Sequence, residues 1–561
     1  KSQPPYIKEN ERSYFIQPVT DIHLHSNLAN EWQSNSNIVY VNVLIVVAAF
    51  ILFLACINYI NLATARGSER AREVGVRKVM GAVRNQLVGQ FLGESFVTTM
   101  IALIVSVAMA EGAMRLYLDD LVGKQLSVFE IFSTTHLVWA MGGLMLLTLI
   151  SGMYPAFFLS HFRPVSMLKG GSTKSGAGLT LRRSLVAFQF VISSLLIVGM
   201  IIIQRQAEFM REKKLGFDNE QVVNIRLFDR HAGRNFRTLK DQLLRESVVK
   251  EVAVTSTFPM KEGFHAWPVT PEGHAAEDRM TMKSMSGDED VLNALNLQLI
   301  SGRNFTRDNP ADSAQAFILN EAAVKSLGWT DPVGKDFELT YFADRGANWR
   351  KGKVIGVVKD FHFESLYNTI DPLVIFINTQ HYYCDYLVVK LAPGNINESM
   401  RVLENNWNKF NPNKPFEYSF ADEDLGNLYA EETRLSSMFS SFTMLSIMVS
   451  CLGLFGLSAY TMSQRLKEIG IRKVLGASVG DLFTLLSREY LVLIMLAQVI
   501  AAPLAWWFAS QWLSGFAYQV GISMTAFLIT WAAAIGFGIL SISIHVFRAV
   551  RANPAATLRI E

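Results

Sequence analysis

Six stretches of this chain run free of Asp, Glu, Lys and Arg for about the length a helix needs to cross the roughly 30 Å hydrocarbon core of a bilayer. They are residues 38–65, 95–110 with apolar flanks, 136–161, 184–204, 435–464 and 490–547. Lipid offers no partner to a backbone N–H or C=O, so a span of this kind must satisfy its own polar groups as a helix. The last run is long enough for two spans with "SGFAYQVG", residues 514–521, as the turn between them, so seven helices are expected. Composition agrees: half the residues are hydrophobic, 18% are charged and mean hydropathy is +0.22, which excludes an ordinary soluble enzyme. Of three cysteines, Cys56 and Cys451 sit in spans and Cys384 stands alone in the large polar segment, so no disulfide framework is expected.

Charge bias orients the spans. The loop after the first run carries Arg66, Arg70, Arg72, Arg77, Lys78 and Arg84 against Glu69 and Glu73, and residues 161–183 carry basic residues and no acid. The loop 462–481 and the tail after Phe547 are also basic, whereas residues 118–134 hold Asp119, Asp120 and Glu130 against Lys124. The basic loops belong in the cytoplasm, and alternation puts residues 205–434 and the N-terminal segment outside. That segment is polar and has no leader or upstream helix to carry it across, so the chain is expected to continue upstream of Lys1.

A repeat organises the whole sequence. "EVGVRKVMGA" (73–82) returns as "EIGIRKVLGA" (468–477), 395 residues later, and the same offset relates Glu94 to Glu489 at the mouths of the following spans. "FRPVSMLKG" (162–170) likewise matches "RANPAATLR" (551–559) around Pro164 and Pro554. The unit is four helices and one outer domain, used twice, so roughly 210 residues are expected upstream. The expected organisation is residues 1–37 as the remnant of a first outer domain and 38–183 as a first membrane unit with a short helix over 69–84. Residues 184–204 then open the second unit, 205–434 form a second outer domain, and 435–561 complete the unit with a short helix over 464–479. Aliphatic strand-like runs such as "AFILN" and "LVIFI" mix with helical ones such as "NINESMRVLENNWNKF", so the outer domain reads as α+β, in one or two lobes. The fold class is therefore an α-helical transmembrane bundle, with seven visible spans and eight in the intact chain, carrying an extracytoplasmic α+β domain.

The doubled basic decapeptide, "LVAFQFVIS" (185–193), "LISGRNF", "ILNEAAVKSLGW", "DPVGK" and the terminal "RANPAATLRIE" together resemble the FtsX-like permeases of MacB type, membrane subunits of ATP-binding-cassette systems, in their tandem two-unit form. The resemblance implies a bacterial inner-membrane permease for export, efflux or mechanotransmission, with its large domains in the periplasm. It implies two copies of a separate ABC-type ATPase as partners and leaves room for a periplasmic adaptor or an outer-membrane partner. It also implies that each decapeptide is a coupling helix docked on one ATPase subunit. The residues assigned to coupling are Glu73, Gly75, Arg77, Lys78, Gly81, Glu468, Gly470, Arg472, Lys473 and Gly476.

Residue chemistry supports that assignment from below. Arg70, Arg77 and Arg84 recur every seven residues on one face, while Val74, Val79, Met80 and Val83 are free to lie against the bundle or the bilayer edge. Gly75 and Gly81 favour bends where a span turns into a surface helix. Glu73 and Glu468 are expected to pair with basic groups at the joint. Lipid alone explains one basic elbow, but two matched copies call for a matched partner. No G-x-x-x-x-G-K-[ST] occurs in the 561 residues, so ATP and Mg belong to the partner, and the chain is expected to hold no cofactor and no catalytic site of its own.

Ion-coupled transport needs ionisable groups at membrane depth. Only Glu111 lies inside a span, four residues before Arg115, its expected partner. His23, His25 and Asp21 share a face if extended, yet a solvated strand is the better expectation than a metal site, and "DFHFES" (360–365) reads as an alternating strand around His362. Nothing points to nucleic acid. The competing class is a membrane-anchored extracytoplasmic sensor, which calls for a cytoplasmic output module where this sequence shows only loops.

Overall fold

A computed structural model describes residues 16–25, 38–65, 73–74, 76–115, 134–160, 176–227, 236–261, 264–274, 280–343, 346–378 and 385–551. The predicted tail motifs around Pro164 and Pro554, the loop 118–133 and Cys384 lie outside the described residues. The chain divides into an outer unit (Lys1–Asn37, Ala207–Glu431, Ser514–Val520) and a membrane unit (Ile38–Gln206, Glu432–Leu513, Gly521–Glu561).

The principal helices are α1 (Val19–His25), α2 (Ile38–Ala65), α3 (Arg84–Ala113), α4 (Thr134–Ser160), α5 (Gly176–Glu212), α6 (Phe236–Leu243), α7 (Ile396–Phe410), α8 (Ala430–Val474), α9 (Val479–Leu513) and α10 (Met524–Arg551). Among the described residues, six helices are long and apolar enough to cross a membrane, in α2, α3, α5, α8, α9 and α10. The seventh expected span coincides with α4, whose described apolar stretch, Val138–Ile150, is shorter.

Within the membrane unit, Val186, Phe190 and Val191 of α5 join Leu454, Tyr490 and Ile494 in one apolar cluster. A seam of neutral polar groups crosses that cluster. Ser193 and Ser450 share a 2.8 Å hydrogen bond, Gln189 Nε2 donates to the Ser450 carbonyl at 2.9 Å, and Gln498 Nε2 donates to Ser194 Oγ at 2.7 Å. Amides and hydroxyls paired this way tie helices together where the hydrophobic effect does not. Glu111 meets Arg115 at 2.8 Å, one turn along the same helix, as its spacing predicts.

At the crossing of α2 and α8 the repeat meets itself. Asn58 and Gly453 occupy equivalent positions of the two halves, and Asn58 Nδ2 donates to the Val449 carbonyl at 2.6 Å. A Cβ on Gly453 would stand 1.9 Å from Asn58 Oδ1, so only glycine fits beneath that amide. Contact between equivalent positions is what a two-fold axis produces.

Among the described residues, the outer unit is built on one eleven-stranded sheet comprising β1 (Val222–Arg226), β2 (Val249–Thr255), β3 (His265–Pro271), β4 (Met280–Gly287), β5 (Leu299–Gly302), β6 (Ala316–Asn320), β7 (Asp336–Ala343), β8 (Gly346–Val358), β9 (Leu373–Ile377), β10 (Tyr386–Leu391) and β11 (Tyr418–Phe420). Its pairings close a ring: β4 with β3, β3 with β7, β7 with β8, β8 with β6, β6 with β9, and β9 back to β4 in parallel. Closure removes the ring's free edges. Phe317, Leu319, Phe337, Leu339, Val374 and Phe376 fill a core of this lobe, and β6 and β9 are buried at every position. Strand β5 pairs with β8 beside the ring, and the other four strands form a wing, β2-β10-β1-β11, joined to the ring where Thr255 meets Gly287. Alternate wing residues, Val223, Ile225, Val252, Val254, Leu387 and Val389, pack on Leu239 and Leu243 of α6 and Leu403 and Trp407 of α7. Lys240 of α6 is buried against Asp288 and Asp290, each at 2.6 Å. The α+β reading thus resolves into two lobes on one sheet.

Two sequence expectations are corrected in this unit. Residues 19–25 are helical, so Asp21, His23 and His25 do not align as on a strand; among the described residues no group of three or more His, Cys, Asp or Glu could hold a metal ion. "DFHFES" is irregular, with Phe361, His362 and Phe363 all buried: Phe361 and Phe363 join one apolar cluster while His362 meets Tyr518, so no face is left to solvent as on an alternating strand.

Candidate functional site

Both decapeptides end their helices in the same way. The Ala82 N–H donates to the Arg77 carbonyl at 2.9 Å and the Gly81 N–H to the Lys78 carbonyl at 3.1 Å; Ala477 and Gly476 repeat these bonds to Arg472 and Lys473 at 3.0 and 3.1 Å. This is the Schellman pattern, which needs a left-handed residue just past the helix. Gly81 supplies φ +97° and Gly476 φ +93°. Each elbow is braced one turn earlier by an ion pair: Arg77 with Glu73 at 2.7 Å, and Arg472 with Glu468 at 2.9 Å. The pairing expected of the two glutamates is therefore made within the elbow itself. Val74 and Ile469 anchor the elbows, Val74 against Leu87 and Phe91, and Ile469 in the cluster with Leu482 and Leu486.

Exposure also repeats position by position from Val76 to Ala82 and from Ile471 to Ala477. Arg77, Lys78, Arg472 and Lys473 are half-buried, and the tips are apolar. Val79 is 62% and Met80 84% exposed, matched by Val474 at 66% and Leu475 at 79%. The sequence left this set, Val74, Val79, Met80 and Val83, free to lie against the bundle or the bilayer edge. Of that set only Val74 is buried, because the turn at Gly81 swings the residues around it outward.

One expectation differs, at the hinge. Gly470 is buried inside α8, which continues without a break to Val474, so the predicted separate helix over 464–479 is the end of one span, a turn at Gly476 and the start of α9. The bend falls instead at the next glycine, Gly476, whose φ is +93°. Gly75 and residues 69–72 lie outside the described residues.

The two elbows differ in what lies behind them. Arg77 also donates to Gln90 Oε1, and Gln90 Nε2 donates to Glu94 Oε1 at 3.2 Å, so elbow one runs through a polar relay into α3. In the second half Glu489 instead holds Arg183 of α5 at 2.8 Å and Arg465 of α8 at 3.4 Å. Gln90 escaped the sequence reading because its position does not repeat: Leu485 replaces it in the second half.

The outer unit has a focal point of its own in the loop 360–368. Its His362 N–H donates to the Leu215 carbonyl at 2.7 Å, just beyond α5, and its Leu366 N–H donates to the hydroxyl of Tyr429, the residue before α8, at 2.9 Å. The turn between α9 and α10 reaches it too: Phe516 stacks on Tyr367 with centroids 4.7 Å apart, and Tyr518 meets His362 edge-on at 4.7 Å. Lys213 Nζ sits 3.5 Å from the centroid of the Tyr518 ring. Burial, with the Lys213 charge adding to it, pushes the His362 pKa down to about 4, so the imidazole is neutral at ordinary pH. Three connections that run into membrane helices thus end on one loop.

Comparison with known proteins gives two family matches. The FtsX-like permease C-terminal family matches residues 45–164 and again 440–554, and the MacB-like periplasmic core domain matches residues 190–401. The "uncharacterized ABC transporter permease YknZ" of Bacillus subtilis is 23% identical over 323 residues, 55% of this chain and 74% of that protein. The macrolide export ATP-binding/permease protein MacB of Bdellovibrio bacteriovorus is 28% identical over 123 residues, 22% of this chain. The match spans only 18% of that relative's own length, well under two thirds. Among solved structures, the periplasmic region of MacB from Actinobacillus actinomycetemcomitans is 16% identical, covers 38% of this chain and 94% of that one, and has a TM-score of 0.27.

Proposed function

Because this chain belongs to the FtsX-like permeases of ABC transporters, with a MacB-like periplasmic core domain, we propose that it is the membrane subunit of an export or mechanotransmission complex driven by a separate ATPase. It is a multi-pass membrane protein with a periplasmic domain, and the bacterial inner membrane is the compartment that this function requires. The observation that carries the proposal is the duplicate elbow: one Schellman turn, one Glu-Arg brace and one apolar tip, built twice. Two equal handles suit two equal ATPase subunits. The apolar tip enters a groove on each subunit, and Arg77, Lys78, Arg472 and Lys473 meet acidic or backbone acceptors around it. ATP-driven approach of the subunits moves the elbows, and the spans carry that motion outward to cargo or to an external partner. In the outer unit, the loop 360–368 collects the ends of three such connections.

The test is purification of the chain with its small ATPase in lipid. Arg77→Glu with Arg472→Glu should abolish stimulation of ATP hydrolysis while the chain stays folded, since an exposed brace contributes only about 0.3–0.5 kcal/mol. The swaps Glu73→Arg/Arg77→Glu and Glu468→Arg/Arg472→Glu, made together, rebuild both braces with reversed polarity. Stimulation restored by these swaps would reduce the arginines to bracing and sink their docking role. Full activity of the chain with no ATPase present would overturn the proposal as a whole and favour a sensor.

A further inference from the structure

Helix α2 donates to α8 at two depths of the membrane unit. Near the outer end the Tyr40 hydroxyl donates to Glu432 Oε1 at 3.2 Å, and about 27 Å farther along α2, Asn58 Nδ2 donates to the Val449 carbonyl. At the 395-residue offset Leu435 stands for Tyr40 and Gly453 for Asn58, so α8 carries neither donor. Shape runs the same way. The Asn58 amide fills the place that a Cβ on Gly453 would take, with its Oδ1, Cγ and Nδ2 all within 2.7 Å of that point. Leu62 lies likewise over Gly456, its Cδ2 2.6 Å from where a Cβ would stand, while the counterpart of Gly456 on α2 is Asn61. The knobs and the donors are on α2; the slots and the acceptors are on α8.

Stability alone does not account for this arrangement. Asn58 Oδ1 is buried and has no hydrogen-bond partner among the described residues, and a half-satisfied buried amide costs free energy. A lone asparagine in an apolar helix seam is a known way to fix which helix pairs with which, at that cost. Two α2 helices meeting in this geometry would set amide against amide and Asn61 against Leu62. Two α8 helices would meet with empty slots and with no donor for Glu432 or for the Val449 carbonyl.

We propose that the crossing of α2 and α8 is a pairing code, in which a first half accepts a second half and like halves refuse each other. The chain meets its own complement first, because the tether between the halves holds them at high effective concentration. The partner this surface fits is the other half of the same chain, and a second copy enters only by exchanging halves. The code operates whether or not an ATPase docks at the elbows.

A reciprocal exchange, read by thermal unfolding of the full chain in lipid nanodiscs, tests this. Gly453→Asn alone sets amide against amide and should lower the melting temperature; Asn58→Gly alone should lower it less. Together they move the knob to α8, where the repeat offers the Leu54 carbonyl in place of Val449, and most of the loss should be recovered. A second arm carries the code between copies. Chains with Gly453→Asn and chains with Asn58→Gly, differently tagged and co-expressed, complement each other by exchanging halves. They should co-purify about tenfold more than either variant with itself, the worth of one matched contact. Gly453→Asn melting like the unaltered chain would overturn the proposal, as would a doubly exchanged chain no more stable than the two single losses predict. Equal co-purification of mixed and unmixed variants would overturn it too, since the helices would then pair regardless of the half they come from.

Discussion

The two elbows match in their tips and differ at their roots. From Val76 to Ala82 and from Ile471 to Ala477 the turn, the brace and the exposure agree residue by residue. Behind them, Glu94 receives Gln90 in one half, while Glu489 clamps two arginines from two other helices in the other. A surface that must meet the same partner twice keeps its shape, whereas the foundation is free to adapt to its own neighbours. Under the proposed function, the tips are where contact is made and the roots are where each half is tuned.

The largest effect should come from the tips. Met80→Asp with Leu475→Asp should lower affinity for the ATPase at least a hundredfold, because each removes a side chain worth about 1.5–3 kcal/mol when fully buried and adds a charge. Titration calorimetry of the purified pair measures it, and either single change should cost about half as much; a cost carried by one elbow alone breaks the equivalence. Next come the hinges. Gly81→Ala and Gly476→Ala force Cβ into a left-handed conformation and should each destabilise their elbow by about 1–2 kcal/mol, by like amounts, since both φ values lie near +95°. Hydrogen exchange at Ala82 and Ala477 reads this locally. The smallest effect is at the roots: Glu489→Gln should cost up to about 1 kcal/mol and Glu94→Gln less, because these partly exposed pairs are screened. Thermal unfolding in moderate salt compares the two, and a larger loss at Glu94 would reverse the assignment of the clamp to the second half.

Much of the membrane unit was legible in the sequence. Uncharged runs of span length mark its helices, and a fixed offset pairs Gly81 with Gly476 and Glu73 with Glu468 before any coordinates exist. The sequence left open which way the apolar tips face, for a physical reason: amphipathic periodicity assumes a helix that continues, and a Schellman turn reverses the direction of the residues around it. The polar seam of Gln189, Ser193, Ser450 and Gln498 was hidden because each residue looks like a tolerated neutral side chain until the helices pack. In the outer unit, "AFILN" and "LVIFI" announced strands, but β3, β4 and β7 alternate with polar and short side chains and were passed over. Ring closure rests on the parallel pairing of β4 with β9, two segments about 90 residues apart, which local pattern does not report.

The pairing of Asn58 with Gly453 bears on how such a chain evolves. Were each half a separate polypeptide meeting its own copy on the axis, any change at that position would arrive on both sides at once, and an amide could not gain the vacancy opposite that it needs. Joining the halves in one gene lifts this restriction, letting bulk on one side be matched by its absence on the other. Covalent fusion thus opens asymmetric solutions that a symmetric dimer has no means of reaching.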